Sequence, residues 1–106
     1  MDNQNLSAVF GALSDPTRFA VVERLCRGPA SVSELQAPFR MATPTFLRHL
    51  QVLERAGVVQ TIKRGRVRTC ALRRETLTAA EHWIAQRRHE VEAQLDRLDA
   101  FLNEDN

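Results

Sequence analysis

Nine arginine or lysine side chains fall within residues 40–74, where Glu54 is the one acidic residue. The segments on either side are nearly neutral or acidic, with net charges of −1 over residues 1–39 and −5 over residues 75–106. The overall net charge of +2 therefore conceals a strongly basic centre. Such a segment is typical of a surface that binds a polyanion, and a solvated basic surface is the alternative interpretation.

Two groups of polar side chains in this centre carry the donor chemistry that nucleic acid recognition requires. The first follows a Thr-Pro pair and comprises Thr43, Thr45, Arg48, His49 and Gln51. An arginine can bind guanine through two hydrogen bonds, worth about 1–3 kcal/mol of discrimination. Hydroxyls reach bases or phosphates. The second group surrounds Gly65 and comprises Lys63, Arg64, Arg66 and Arg68, cations suited to phosphates or to the minor groove.

Each of these assignments has a structural alternative. Thr43 has the position of a helix N-cap as well as of a base contact. The alternative for His49 is a position on the helix surface without a base contact, or a contact with a phosphate. The alternative for Gln51 is a solvated side chain. The cations around Gly65 would also keep an edge hairpin soluble. Strand alternation predicts Arg64, Arg66 and Arg68 on one side of that hairpin if no bulge intervenes.

Other kinds of chemistry are poorly represented. The sequence contains no nucleophile motif, no glycine-rich phosphate loop and no paired-carboxylate site, so we expect neither an enzyme nor a cofactor. No apolar run approaches the roughly 20 residues of a membrane span. Residues 1–5 are polar and do not resemble a signal peptide. These features predict a soluble, cytoplasmic protein that makes no membrane contact.

Two cysteines, Cys26 and Cys70, are candidates for a redox-sensitive site. Cys26 is predicted on the inward stripe of its helix, as a core residue. Cys70 is predicted in a strand near Arg68, where a cation would favour the thiolate. Inert thiols are the alternative for both, because the sequence contains no CxxC pattern.

The length of 106 residues suits one domain, and periodicity and capping signals divide it into elements. The first helix is predicted over 6–13, and the second runs from Asp15-Pro16 to about 27 with Phe19, Val22, Leu25 and Cys26 inward. A short third helix is predicted over 32–37 behind a Ser31 cap. The fourth helix runs from Thr43-Pro44 to 56. Strands are predicted over 58–63 and 67–72, and a long helix over 75–103. The fold class is mainly α with a small β-hairpin, in the order α-α-α-α-β-β-α.

A short helix, a tight connector and an amphipathic helix with the apolar stripe Phe46, Leu50 and Leu53 form a helix-turn-helix, here over about 32–56. A basic hairpin directly behind it, over about 58–72, is typical of a wing. Together these elements predict a winged helix-turn-helix that places residues 43–56 in the major groove of DNA.

Several stretches resemble the ArsR/SmtB family of small bacterial winged-helix repressors. They are Leu13-Ser14-Asp15-Pro16-Thr17-Arg18, Val32-Ser33-Glu34-Leu35, His49 to Val59, and Arg64-Gly65-Arg66. The resemblance implies a homodimer that binds operator DNA and is released by an inducer, which the sequence leaves unidentified. It implies a dimer interface formed by the first and last helices through Leu6, Val9, Phe10, Ile84, Val91, Leu95, Leu98 and Leu102. The alternative is that the last helix packs within its own domain, but it is long for so small a core.

The chain also departs from the family pattern. Leu47 replaces a usual serine in the recognition helix, and we expect it to pack inward or to touch a thymine methyl group. The third helix lacks the cysteines of the family's metal sensors, and in the last helix only the His89-x-x-Glu92 spacing matches, with His82 seven residues earlier. We therefore expect no metal site.

The sequence thus predicts a sequence-specific DNA-binding regulator, a repressor that binds a palindromic operator as a homodimer. The alternative function is a winged-helix protein-interaction module without specific DNA binding. Salt-sensitive affinity and preference for a palindrome distinguish the two.

Overall fold

The computed structural model describes residues 6–104; residues 1–5 and 105–106 of the predicted domain lie outside this range. Its elements are α1 Leu6–Leu13, α2 Pro16–Leu25, β1 Ala30–Ser31, α3 Val32–Gln36, α4 Thr43–Arg55, β2 Val59–Arg64, β3 Val67–Leu72 and α5 Arg74–Asn103. The predicted order of helices and hairpin is confirmed, with one strand added.

Helix α2 begins as the sequence predicts but is rotated relative to the prediction. The Asp15 carboxylate caps it by accepting hydrogen bonds from the backbone N–H groups of Thr17 and Arg18. The buried residues are Val21 and Leu25. Phe19 is 51% exposed and Cys26 is exposed, so the predicted inward positions of these two residues are wrong. The helix contains so many apolar residues that their spacing does not define one inward face.

Strand β1 was not predicted, and it changes the hairpin into a three-stranded antiparallel sheet in the order β1-β3-β2. Ser31 pairs with Thr69 of the wing and also caps α3. The cap is a capping box in which Ser31 and Glu34 satisfy each other's backbone N–H groups. The first helix of the helix-turn-helix is therefore fixed to the wing through Ser31.

Helix α4 has well-defined ends. Ala42 is its N-cap and contributes no side-chain bond, so the predicted cap at Thr43 is wrong and Thr43 begins the helix. At the other end Gly57, with φ +81°, provides the left-handed residue after the helix. The N–H of Gly57 donates to Glu54 and that of Val58 donates to Leu53, the two bonds of a Schellman motif. The chain thereby turns directly from α4 into β2.

One hydrophobic core joins α1, α2, α3, α4 and the sheet. Phe46 and Leu53 of α4 are completely buried in it, and Leu50 is 2% exposed. Leu47 packs against the same cluster from its edge, as expected for a leucine in place of serine. In contrast, Thr76 and Ala80 are the buried residues of the 30-residue helix α5. Most of α5 therefore lies outside the core.

Candidate nucleic-acid interface

The side of α4 opposite its core stripe carries the predicted base-contacting residues. Thr45, Arg48 and Gln51 are all exposed there, within the first turns of the helix. The buried stripe fixes the rotation of α4, so these side chains point away from the protein because Phe46 and Leu50 point into it. The arrangement presents a guanidinium, an amide and a hydroxyl to any groove that α4 enters.

The Thr43 hydroxyl has a partner within the helix-turn-helix. It accepts a hydrogen bond of 3.0 Å from the Gln36 side-chain amide, which also lies 3.4 Å from the Met41 carbonyl oxygen. Gln36 thus connects the end of α3 to the connector and the start of α4. The Thr43 hydroxyl still has its own proton to donate, and Thr43 is exposed.

His49 lies on the flank of α4 that faces the α1–α2 corner. Its Nδ1 is 3.1 Å from Nη1 of Arg18 and 3.7 Å from the Asp15 carboxylate. Arg18 also donates to the Ala12 carbonyl oxygen at 2.7 Å. The sequence does not indicate Arg18 as part of this site, because it is 31 residues from His49.

The wing is a tight hairpin in which Gly65 and Arg66 form a two-residue turn. Gly65 has φ +63°, the sign that the first central residue of a type II′ turn requires. Lys63 pairs with Arg68, and Arg64 pairs with Val67. Directly paired residues share a face, so Arg64 and Arg68 lie on opposite faces and Arg66 lies at the tip. The prediction that Arg64, Arg66 and Arg68 share one side is wrong, because the turn interrupts the alternation.

The face of the wing that carries Lys63 and Arg68 is the one that continues into the core at Cys70. Arg68 and α4 border a common groove of about 280 Å³, lined by Pro44, Leu47, Arg48, Gln51, Glu54 and Arg68. The Thr61 hydroxyl donates to Glu54 at 2.7 Å and ties the base of the wing to the end of α4. Helix and wing therefore border one groove, at which Arg48 of α4 and Arg68 of the wing converge.

The two cysteines differ in exposure, and Cys26 differs from its predicted position. Cys70 is completely buried, and burial raises the pKa of its thiol, against the smaller opposing effect of Arg68. Burial therefore outweighs the cation, which favours the inert-thiol alternative for Cys70. Cys26 is exposed rather than part of the core. An intact protonated thiol at position 70 packs as a small apolar side chain.

Metal ligands do not converge in the part of the chain that the structure describes. Residues 6–104 contain no group of three or more His, Cys, Asp or Glu side chains able to hold an ion. His82 and His89 line an open groove on α5 together with Glu90, and both histidines are exposed. Nor is any described helix long and apolar enough to span a bilayer.

The residues predicted for the dimer interface differ in their exposure within one protomer. Leu6 and Val9 are 5% and 1% exposed within one protomer, so their assignment to an exposed interface is wrong. Phe10 is half-buried and packs on Trp83 of α5 with ring centroids 5.7 Å apart. The α5 residues are about half exposed and form an apolar stripe: Ile84, Val91, Leu95, Leu98 and Leu102.

Comparisons with known proteins agree with this architecture. A family described as a helix-turn-helix domain matches residues 13–62. The crystal structure of the ArsR family transcriptional regulator RHA00566 superposes with a TM-score of 0.79 and 52% identity, covering 83% of this chain and 97% of that one. The transcriptional repressor SdpR of Bacillus subtilis is 27% identical over 79 residues, which are 74% of this chain and 88% of SdpR.

A solution structure from Mycobacterium bovis shares the fold alone, at 19% identity and a TM-score of 0.63, over 89% of this chain and 84% of that one. That protein is described as a homodimeric winged helix-turn-helix DNA-binding domain. The identity and coverage of the regulator RHA00566, together with the exposed recognition helix and basic wing, establish the relationship. The chain belongs to the ArsR family of winged helix-turn-helix, DNA-binding transcriptional regulators.

Proposed function

We propose that the protein is a repressor that binds a palindromic operator as a homodimer. The observation that carries the proposal is the surface shared by α4 and the wing, where Arg48 and Gln51 of the helix border the same groove as Arg68. A helix that offers base-reading donors, flanked by cations, suits the major groove. Thr43, Thr45 and His49 extend the reading surface along α4, and Lys63, Arg64 and Arg66 extend the phosphate-binding surface along the wing.

Homodimerisation is proposed from the stripe of half-exposed apolar residues along α5. The M. bovis relative, which is described as homodimeric, and SdpR, which is named a repressor, support the same assignment. In a two-fold dimer the two α4 helices would enter successive major grooves about 10 base pairs apart. An effector would act by changing the angle between them, which biases an existing equilibrium.

The proposal assigns no catalytic step, no metal and no cofactor to the protein. It places the protein in the cytoplasm, where the operator is. The polar side chains of α4 and the wing contact nucleic acid, and those of α5 remain in solvent.

Selection of random DNA fragments by the purified protein, with a reducing agent and a chelator present, tests the function. Enrichment of one inverted repeat supports a dimeric regulator that requires neither metal nor a disulfide. Arg97→Ala, which removes an exposed arginine of α5, serves as a control that should select the same repeat. Failure to enrich any sequence, with binding lost at physiological salt, would contradict the proposal and favour a protein-interaction module.

A further inference from the structure

The corner between α1 and α2 holds one side of the recognition helix through His49. Three contacts meet there: Arg18 to His49 Nδ1 at 3.1 Å, Arg18 to the Ala12 carbonyl oxygen at 2.7 Å, and His49 Nδ1 to the Asp15 carboxylate at 3.7 Å. Asp15 itself is fixed by the N–H groups of Thr17 and Arg18, which it caps. The guanidinium is therefore held by its bond to the Ala12 carbonyl oxygen as it reaches the imidazole, and Asp15 is held beside the ring by backbone N–H groups.

The direction of the Arg18–His49 hydrogen bond determines the tautomer of the imidazole. A guanidinium donates five N–H groups and accepts none. Nδ1 of His49 must therefore supply the lone pair, and the proton of the neutral ring resides on Nε2. The nearest carboxylate oxygen of Asp15 is beyond hydrogen-bond distance from Nδ1, so it does not reverse this assignment.

The opposite ring nitrogen is directed to solvent. No residue between 6 and 104 forms a hydrogen bond with Nε2, and in that range no side-chain nitrogen or oxygen without a partner is buried. The imidazole is 20% exposed, and this exposure includes Nε2. His49 lies one turn after the exposed Thr45, so the two side chains are neighbours on the surface of α4.

We infer that Asp15 and Arg18 are positioning residues that fix His49 as an Nε2–H donor toward DNA. The acceptor would be a phosphate oxygen or a purine N7 or O6 atom at the edge of the α4 footprint. The inference rests on the proposed operator binding, but the tautomer is a property of the free protein. The two parts can therefore be tested separately.

The first test reads the imidazole nitrogens of the ¹⁵N-labelled free protein by long-range ¹H–¹⁵N correlation at alkaline pH. We expect His49 to show one tautomer, protonated on Nε2, whereas the exposed His82 and His89 show averaged signals. In Arg18→Met the His49 signals should move to those of the other two histidines. Protonation on Nδ1, or a His49 signal unchanged by Arg18→Met, would overturn the inference.

The second test measures operator affinity for two replacements of the imidazole. In His49→Gln the side-chain amide can donate from near the Nε2 position, and we expect affinity within about 3-fold of the wild type. In His49→Asn the amide reaches only the Nδ1 position, and we expect a loss of about 10-fold or more. Retention of full affinity by His49→Asn would refute the donor role while leaving operator binding intact.

A third outcome separates this inference from the proposed function. If the wild-type protein selects no operator, the dimeric repressor is refuted, and the donor role toward DNA is refuted with it. The tautomer measurement would then still decide whether Arg18 fixes the ring. His89→Asn, an equivalent change at an exposed histidine of α5, should alter neither readout.

Discussion

Helices α4 and α5 are both amphipathic, but they differ in what covers their apolar residues. In α4 the stripe of Phe46, Leu50 and Leu53 is at most 2% exposed. In α5 the stripe that includes Val91 and Leu95 is about half exposed. The first stripe is covered inside one protomer, whereas the second leaves large apolar side chains about half exposed along one face of the helix.

This difference assigns different tasks to the two helices. Because the core fixes the rotation of α4, its outer face is a rigid support for polar side chains, and rigid elements place recognition groups precisely. The outer face of α5 has the composition of a core cut in half, which is typical of an obligate homodimer interface. Under the proposed function, sequence recognition and assembly are therefore separated along the chain.

The largest effect should follow from a charge in the α5 stripe. Leu95→Glu should convert the dimer to a monomer, because the interface would bury a carboxylate among apolar side chains without a partner. Losing the second reading helix should reduce operator affinity about 10²–10⁴-fold. Analytical ultracentrifugation and operator titration measure the two effects. Gln94→Glu adds the same charge to an exposed neighbour and should change neither; a dimeric Leu95→Glu protein would remove the proposed role of the stripe.

The corresponding substitution in α4 should act on folding rather than assembly. Leu50→Ala should lower the free energy of unfolding by about 2–5 kcal/mol, since it leaves a cavity in the core. Leu95→Ala should leave the protomer folded, and its loss of stability should depend on protein concentration. Denaturant titrations at two protein concentrations compare the variants. A concentration-independent loss of the same size in Leu95→Ala would mean that α5 belongs to the core.

The periodicity of these helices made their type and extent predictable, but not their surroundings. α4 and α5 were identified because each has one clear apolar stripe. Apolar residues occupy several sides of α2, so their spacing does not identify which side is buried. Phe19 is therefore predicted inside, although it is 51% exposed. β1 was missed because a two-residue strand has no period and depends on pairing with Cys70 and Thr69, distant in sequence.

The candidate site was predictable as a set of residue types rather than as a geometry. The exposed Arg48, Thr45 and Gln51 follow from the stripe opposite them. The setting of His49 does not, because it depends on Asp15 and Arg18 at the start of another helix. The separation of Arg64 from Arg68 depends on where the turn falls, which Gly65 alone does not specify.

The polar face of α4 should distinguish sequences. Arg48→Ala should weaken operator binding by about 1–3 kcal/mol and random-sequence binding by much less, because a bidentate base contact is lost. Competition titrations with operator and scrambled duplexes measure the difference. Arg55→Ala, an exposed arginine at the end of the same helix, is the matched control. Equal losses on both duplexes would show that Arg48 contacts phosphate only.

The corner that holds α4 should respond to acid through Asp15. The hydrogen bond from the N–H of Arg18 lowers the pKa of Asp15 below its ordinary value of 3.8, helped by His49 and by the N–H of Thr17. The ionised carboxylate therefore stabilises the fold above the ordinary pKa, and this contribution disappears as pH falls through the lowered value. The difference in free energy of unfolding between the wild type and Asp15→Asn should therefore shrink in acid. At neutral pH, Asp15→Ala should lower the free energy of unfolding by about 1 kcal/mol. Urea titrations at several pH values measure both; a difference unchanged in acid would contradict the role of the charge.

The smallest change is expected at the tip of the wing. Arg66 is exposed in the Gly65-Arg66 turn; it does not line the groove shared by Arg48 and Arg68, but it borders a neighbouring groove with Arg68 and Thr43. Its position suits a phosphate rather than a base, so Arg66→Ala should weaken operator and random-sequence binding alike and reduce the salt slope by about 1. Titrations over a range of salt concentrations measure that slope. A loss of affinity confined to the operator would instead mean that Arg66 contacts bases. Sequence recognition would then involve the wing as well as the fixed face of α4.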